Sequence, residues 1–371
     1  MSDDGFPPEI LSKSVEERLQ YFETVTIAHP ILMNVYNKVC EAILHRSQES
    51  VICIIGPTGA GKSTLLRRII IKIVEMLSKE LAADPNRVPF IALEAVGPHV
   101  KEFNWRDYYF RCLVKLKEPG IDQKASVTRL RFLLENSLEH RNLLAVLVDE
   151  AQHMTIIPSG DKLKLYLDCI KSLSNMGKTR HVLAGTYELV HFMNLSGQLE
   201  RRTMDIHFRR YRADNQDDFR AFRNIISSLQ RKLPVREEPD LVQYSDFLYE
   251  RSVGCVGLLQ PWLHSALKEC LNEECHTISF RHLEVTAKTV RACDVIAGEA
   301  IEGEEAFCEN PKARNDLRQR LKLPAIPGHL NSEKTSGVTK PEGESVRKRR
   351  QRVGERSPKR DPVGRQEMYD I

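Results

Sequence analysis

The segment GPTGAGKST at residues 56–64 constrains the fold most, because it directly follows the apolar run VICII and precedes a helical pattern. Its glycines let the backbone curl so that N–H groups point at phosphate oxygens, and a helix N-terminus adds partial positive charge. Lys62 would reach the β- and γ-phosphates, and the Ser63 hydroxyl would ligate Mg²⁺. The alternative is a glycine-rich turn that matches by chance. The predicted nucleotide-binding residues are Gly56, Pro57, Thr58, Gly59, Ala60, Gly61, Lys62, Ser63 and Thr64.

Short apolar runs separated by amphipathic segments predict an α/β fold with a parallel sheet buried on both faces. A helical lead-in at 1–45 precedes a nucleotide-binding core at 46–212, a small helical lid at 213–296 and a mostly disordered basic tail at 297–371. The tail is rich in Pro, Gly, Ser and charge, a composition that cannot offset the entropy of folding. The predicted strands are VICII at 51–55, VPFIAL at 88–93, LLAVLV at 143–148, HVLA at 181–184 and DIHF at 205–208.

Two acids stand at the end of the third run, where Asp149 and Glu150 occur in LVDEAQHM. An Asp at the carboxyl end of a parallel strand beside the phosphate loop can hold Mg²⁺, and the following Glu can polarise the attacking water. A solvated helix start, with Glu150 as a cap, is the structural alternative. No Asn-Lys-x-Asp segment for reading guanine is present, so ATP is favoured over GTP. Thr186, after HVLAG, would orient water between the acids or belong to a simple turn.

Charge and cysteine content narrow the function classes. The net charge is only +4, but the residues from Arg347 to Arg360 form a strongly basic cluster. This cluster is interpreted as an arm that binds DNA or a protein partner, with an inert tail as the alternative. Nine scattered cysteines predict reduced thiols rather than a metal site. No export signal or membrane-spanning run is apparent, so a cytoplasmic protein without a membrane partner is expected.

The chain resembles the TnsC/TniB group of AAA+ transposition regulators, relatives of the MuB target-selection protein, over roughly residues 40–295. The likeness rests on GPTGAGKST, LLAVLVDEAQHM, LAGT, LERR and RSVGCVGLL. It implies an ATPase that uses ATP and Mg²⁺, assembles with itself on double-stranded DNA as a filament or hexamer-like ring, and leaves DNA on hydrolysis. The implied partners are a target-selection protein of the TniQ/TnsD type and a transposase of the TnsB/TnsA type. A CRISPR-associated transposon is one candidate source.

The resemblance also implies roles for individual residues. Thr186 corresponds to the sensor-1 residue, and Arg201 or Arg202 would complete the site of a neighbouring subunit, with a solvated basic turn as the alternative. Leu258 follows Gly254 and Gly257 where many AAA+ lids carry a sensor-2 arginine, which is a departure from the pattern. A secretion-system ATPase and a replication initiator or loader remain alternative functions. The implied phosphate-contacting residues for DNA are Lys101, Arg106, Arg129 and Arg131.

Overall fold

The computed structural model describes residues 5–44, 49–84, 86–97, 103–141, 143–155, 169–175, 179–193, 203–305, 307 and 311–324. Side chains are described for these residues except at 191–193 and 311–313. The chain divides into a compact unit that ends at Cys308 and a second unit that begins at Glu309.

The N-terminal part of the chain is helical. A 3₁₀ turn at Pro8–Ser12 precedes α1, Val15–Thr24, and α2, Pro30–Leu44. Helix α1 begins with a capping box, in which the Ser14 hydroxyl accepts from the Glu17 backbone and the Glu17 carboxylate accepts from the Ser14 backbone. These reciprocal hydrogen bonds satisfy amide groups that the first helical turn leaves unpaired. The capped start fixes where the helix enters the fold.

Five parallel strands form one sheet in the order β2-β3-β4-β1-β5. All five predicted strands are therefore confirmed, with ends shifted by a few residues. Because the strands are parallel, all their carboxyl ends meet at the same edge of the sheet. The strands are β1, Val51–Ile55; β2, Phe90–Glu94; β3, Ala145–Asp149; β4, Arg180–Gly185; and β5, Thr203–His207.

Helices cover both faces of this sheet, as the continuous apolar strands predict. Alternate residues of β1 point to opposite faces, so Ile52 joins a core with Leu65, whereas Cys53 joins one with Leu113 and Leu130. The crossover helices are α3, Lys62–Met76; α4, Ser78–Ala83; α5, Trp105–Lys115; α6, Val127–His140; and α7, Glu188–Met193. Residues 169–175 are also helical, and Ala151–Thr155 forms a 3₁₀ turn.

A helical lid follows β5, in the region where the sequence predicts one. Its helices are α8, Gln216–Lys232; α9, Ser245–Ser252; α10, Val256–Asn272; α11, Phe280–Thr286; and α12, Val290–Glu305. The predicted boundary at residue 296 lies inside α12, so the lid extends further than expected. Helix α12 returns to the end of the sheet, where Arg210 Nε lies 3.0 Å from Glu304 Oε1.

The lead-in helices contact the lid. Arg18 Nε donates to the Pro234 carbonyl at 2.9 Å, and the Gln260 side-chain amide donates to the Val25 carbonyl at 2.5 Å. The chain before β1 therefore forms part of the compact unit, between core and lid. In the second unit, α13, Pro311–Arg320, lies within the predicted tail, while the basic cluster Arg347–Arg360 is outside the described residues.

The eight cysteines among the described residues are all free thiols. None of the described helices is long and apolar enough to cross a membrane.

Candidate functional site

The phosphate loop joins β1 to α3 at the carboxyl edge of the sheet. Gly59 and Gly61 have φ values of 80° and 103°, a left-handed conformation that glycine adopts without steric cost. Lys62 is only 7% exposed, and its ammonium donates to the carbonyls of Gly56 and Pro57 at 2.9 Å each. Burial lowers the pKa of Lys62, and the charges of Glu150 and Asp149 oppose that shift. The loop thus holds a buried cation within the field of both acids.

The acid pair lies on the same edge, separated from the loop by β4. Asp149 is the last residue of β3, and the Glu150 N–H donates to Asp149 Oδ1 at 3.0 Å. The Gly56 N–H donates to the Gly185 carbonyl at 3.3 Å, which ties the start of the loop to the end of β4. Glu150 has a φ of 51°, which is uncommon for a residue with a side chain and typical of functional sites. Both acids therefore emerge beside the loop, as the sequence predicts.

The donor set fits the predicted magnesium ion. The Ser63 hydroxyl is exposed at the start of α3, and the Asp149 carboxylate is partly exposed at the end of β3. Mg²⁺ prefers hard oxygen ligands and is usually held by one or two protein groups together with substrate phosphates. Ser63 and Asp149 are the residues that would hold it, and the ion would supply positive charge to the phosphates.

Gln152 is a site residue that the sequence analysis missed. Its side chain is 7% exposed, its amide nitrogen donates to Glu150 Oε2, and its amide oxygen accepts from the Thr186 N–H at 3.2 Å. The Thr186 hydroxyl is buried and has no hydrogen-bond partner among the described residues. It is therefore available to a water molecule or a phosphate oxygen. The available signal was the position of Gln152 in the DEAQ string, two residues after the acid.

The lid packs directly on the phosphate loop. A Cβ atom at Gly59 would lie 2.4 Å from Leu258 Cγ, and one at Gly257 would lie 2.5 Å from the Gly59 carbonyl oxygen. No side chain larger than hydrogen fits at either glycine without a shift of the loop or of α10. Leu258, the residue that replaces a sensor-2 arginine, thus forms an apolar contact with the loop. A change in the loop on nucleotide binding would press on the lid through this contact.

A small cavity beside the loop is lined from three sides. The cavity is about 30 Å³, and it shares Thr26, Thr64 and Gln260 with a groove of about 1000 Å³. The lead-in segment, the loop and the lid helices α8 and α10 all contribute to its wall. It must widen to admit a purine base, and movement of the lid would widen it. The lining residues are Thr26, Ile27, His29, Leu32, Ala60, Gly61, Thr64, Leu229, Val256, Gly257 and Gln260.

Two polar side chains in this wall are oriented by hydrogen bonds. His29 Nδ1 accepts from the Leu32 N–H at 3.3 Å, and burial lowers the pKa of His29 to about 4. The neutral ring then carries its proton on Nε2, which is a donor. Gln260 donates through its nitrogen to the Val25 carbonyl, which leaves its amide oxygen as an acceptor. Among the residues that line the cavity, His29 can therefore supply a donor and Gln260 an acceptor; the sequence analysis singled out neither residue.

Residues 45–193 match the family model described as an AAA domain. With the phosphate loop and the five-stranded parallel sheet, the chain has the AAA+ P-loop fold, and the protein is an ATPase. A search of curated proteins gave no significant match.

Solved structures share this fold. The Aeropyrum pernix ORC2 protein in its ADPNP–ADP complexes has a TM-score of 0.53 and 16% identity, covering 74% of this chain and 73% of that chain. The Aeropyrum pernix ORC1 protein in complex with DNA has a TM-score of 0.52 and 14% identity, covering 77% of this chain and 70% of that chain. Identities this low establish a common fold only.

The predicted DNA-contacting residues differ in their surroundings. Arg106 Nε donates to the Ala125 carbonyl at 3.1 Å, and Arg131 Nε lies 2.8 Å from Glu135 Oε1. Both guanidinium groups thus have partners within the protein. Arg106 is nevertheless exposed, as is Arg129 near the start of α6. The other predicted site residues, Lys101, Arg201 and Arg202, lie outside the described residues.

Proposed function

We propose that this ATPase is a DNA-binding transposition regulator of the TnsC/TniB type. In this proposal it oligomerises on duplex DNA when it holds ATP, links a TniQ/TnsD-type selector to a TnsB/TnsA-type transposase, and disassembles after hydrolysis. The observation that carries the proposal is the packing of Leu258 and Gly257 on Gly59 of the loop. Through this contact the lid responds directly to the occupant of the phosphate site, as a nucleotide-controlled assembly requires.

The proposed chemistry assigns each step to a residue near the loop. Lys62 binds the triphosphate, and Glu150 accepts a proton from the attacking water. The free Thr186 hydroxyl orients that water or a γ-phosphate oxygen. An arginine from a neighbouring subunit, Arg201 or Arg202, would stabilise negative charge in the transition state, so hydrolysis would depend on assembly.

The proposed DNA contacts are electrostatic and read no sequence. Arg106 and Arg129 are both exposed, while Arg106 and Arg131 would have to exchange an internal partner for phosphate. Lys101 remains a proposed contact outside the described residues. Each lost phosphate contact should reduce the slope of log DNA affinity against log salt concentration by about one unit.

A replication initiator or loader is the second candidate, because the ORC1 protein with the same fold is in complex with DNA. An initiator of that kind usually adds a dedicated domain that reads duplex DNA. Among the described residues after β5, those at 216–305 are taken up by the lid helices α8 to α12. Recruitment of a transposase distinguishes the two candidates.

Electron microscopy on duplex DNA tests the proposal of nucleotide-controlled assembly. With a slowly hydrolysed ATP analogue the protein should form regular filaments or rings on DNA, whereas with ADP it should not. A pull-down of transposase by these assemblies then separates a transposition regulator from an initiator. Single particles off DNA in every nucleotide state would contradict assembly, and assemblies that recruit no transposase would contradict the proposed partner.

Base selectivity is a further expected result. Adenine offers a donor at N6 and an acceptor at N7, whereas guanine offers acceptors at both positions, and a matched pair discriminates by about 1–3 kcal/mol. The Gln260 oxygen and the His29 Nε2 proton match adenine, so ATP should bind at least about 5-fold more tightly than GTP. In Gln260→Ala the ratio should fall towards one.

Competition binding of ATP and GTP measures this ratio, and Gln243→Ala is the matched control, since Gln243 is exposed and donates to the Asp240 carbonyl away from the cavity. If Gln260→Ala weakened the binding of ATP and GTP equally, so that the ratio of their affinities did not change, Gln260 would only support the Val25 segment.

A further inference from the structure

Glu150 is connected to the end of β4 by a single buried side chain. Gln152 donates from its amide nitrogen to Glu150 Oε2 and accepts at its amide oxygen from the Thr186 N–H at 3.2 Å. A carboxylate can only accept and a backbone N–H can only donate, so one orientation of the amide satisfies both partners. The two partners therefore determine which way the Gln152 amide is oriented.

The space around this amide is also restricted. A Cβ atom at Gly185 would lie 2.7 Å from the Gln152 amide oxygen, so a larger residue there would displace the amide. Gln152 is 7% exposed, and a buried amide that lost either partner would be left with an unsatisfied polar group, which is unfavourable. The side chain is thus held between the acid and the strand, where solvent offers no replacement partner.

The link leaves one oxygen of the acid free. With Glu150 Oε2 engaged by the amide, Oε1 is the oxygen that can accept a proton from water. The other end of the link is the backbone of Thr186, whose hydroxyl is buried without a partner among the described residues. A shift of Thr186 towards a phosphate would therefore move the amide and, through it, the acid.

We propose that Gln152 is the positioning residue for Glu150: it fixes which carboxylate oxygen faces the attacking water and couples that orientation to the end of β4 at Thr186. Gln152 touches neither nucleotide nor water in this role. The proposal rests on the assignment of Glu150 as the base. It predicts a loss in the rate of hydrolysis without a matching loss in ATP affinity.

Two substitutions separate positioning from simple packing. Gln152→Leu keeps most of the volume and removes both hydrogen bonds. Gln152→Glu keeps the shape, but as a carboxylate it repels Glu150 and cannot donate, whereas in its protonated form its O–H can replace the amide donor. Its activity should therefore rise as the pH falls, and a purely structural role gives no such recovery.

Other titratable groups lie near this link and could also affect the pH profile. They are present in both the parent and the Gln152→Glu variant, so the ratio of the two hydrolysis rates reports the effect of the new carboxyl group. These groups, on the adjoining strand end, turn and helices, are Lys62, Asp149, His153 and Glu188.

The experiment measures single-turnover ATP hydrolysis and ATP affinity from pH 6 to pH 8.5 for the full chain. Gln152→Leu should lower the hydrolysis rate by about 10- to 100-fold, with ATP affinity changed by less than about 3-fold. For Gln152→Glu the rate relative to the parent should rise several-fold between pH 8 and pH 6. Gln243→Glu, an exposed glutamine of the lid, is the matched control and should follow the parent.

Several outcomes would overturn the proposal. If the ratio of the Gln152→Glu hydrolysis rate to the parent rate did not change with pH, Gln152 would not act as a donor to Glu150. If Gln152→Leu lost ATP affinity and hydrolysis rate equally, Gln152 would have only a packing role. Thermal melting without nucleotide identifies a folding defect, and Gln152→Glu at pH 6 still tests the proposal if Gln152→Leu unfolds. If Glu150→Gln itself hydrolyses ATP at the parent rate, the assignment of the base fails instead.

Discussion

Lys62→Ala is expected to weaken ATP binding by about 100-fold, because hydrogen bonds to charged groups are each worth about 1.5–3 kcal/mol. The parent ammonium is buried and held by the carbonyls of Gly56 and Pro57, so it is already placed in the loop. On arrival of ATP it exchanges these carbonyls for phosphate oxygens without leaving a buried charge unpaired. Alanine removes that charge from the site.

Titration with a fluorescent ATP analogue measures the loss. Lys79→Ala is the matched control, since Lys79 is an exposed lysine on α4. The variant should melt within a few degrees of the parent in the absence of nucleotide. Parent-like ATP affinity in Lys62→Ala would show that the loop does not bind the triphosphate through this residue.

Glu150→Gln is expected to lower the rate of ATP hydrolysis by about 100-fold or more, because general base catalysis typically contributes factors of about 10² to 10⁴. Glutamine retains the size of the side chain but cannot accept the proton of water as a carboxylate does. ATP affinity should change by less than about 3-fold, since Lys62 and the loop remain intact. The two substitutions thus separate binding from chemistry.

Phosphate release from a single turnover measures this rate, with Glu139→Gln, an exposed acid of α6, as the control. A Glu150→Gln protein that keeps the parent rate would require another base. A large loss of affinity in the same variant would instead place Glu150 among the binding groups.

The sheet was predictable because its signal is local. Each strand is a short apolar run, and a strand buried on both faces by crossover helices needs that pattern wherever it occurs. Residues such as Ile52 and Cys53 belong to different cores, yet both are apolar, so the run marks the strand without revealing its two faces. The loop and the acid pair directly follow such runs. Once the strands were predicted, the positions of the loop and the acids at the carboxyl edge of the sheet followed.

The contacts between distant segments were not predictable from local patterns. Gln152 reaches Thr186 across 34 residues, and the partner of a buried amide depends on strand order and on the space left by Gly185. Leu258 was recognised as a departure from the usual lid, but its packing on Gly59 depends on how the lid returns to the loop. Likewise, nothing local indicated that Arg131 donates to the Ser172 hydroxyl at 3.1 Å, although its ion pair with Glu135 joins neighbours on one helix.

The most direct test of the central claim, that ATP hydrolysis at this site controls assembly on DNA, is the rate at which protein leaves duplex DNA after ATP is diluted. Protein loaded with ATP is followed on surface-bound DNA for the parent and for Glu150→Gln. We expect the parent to dissociate as it hydrolyses ATP, whereas Glu150→Gln should persist at least about 10-fold longer because its hydrolysis is slower. Dissociation of Glu150→Gln as fast as the parent would contradict the claim.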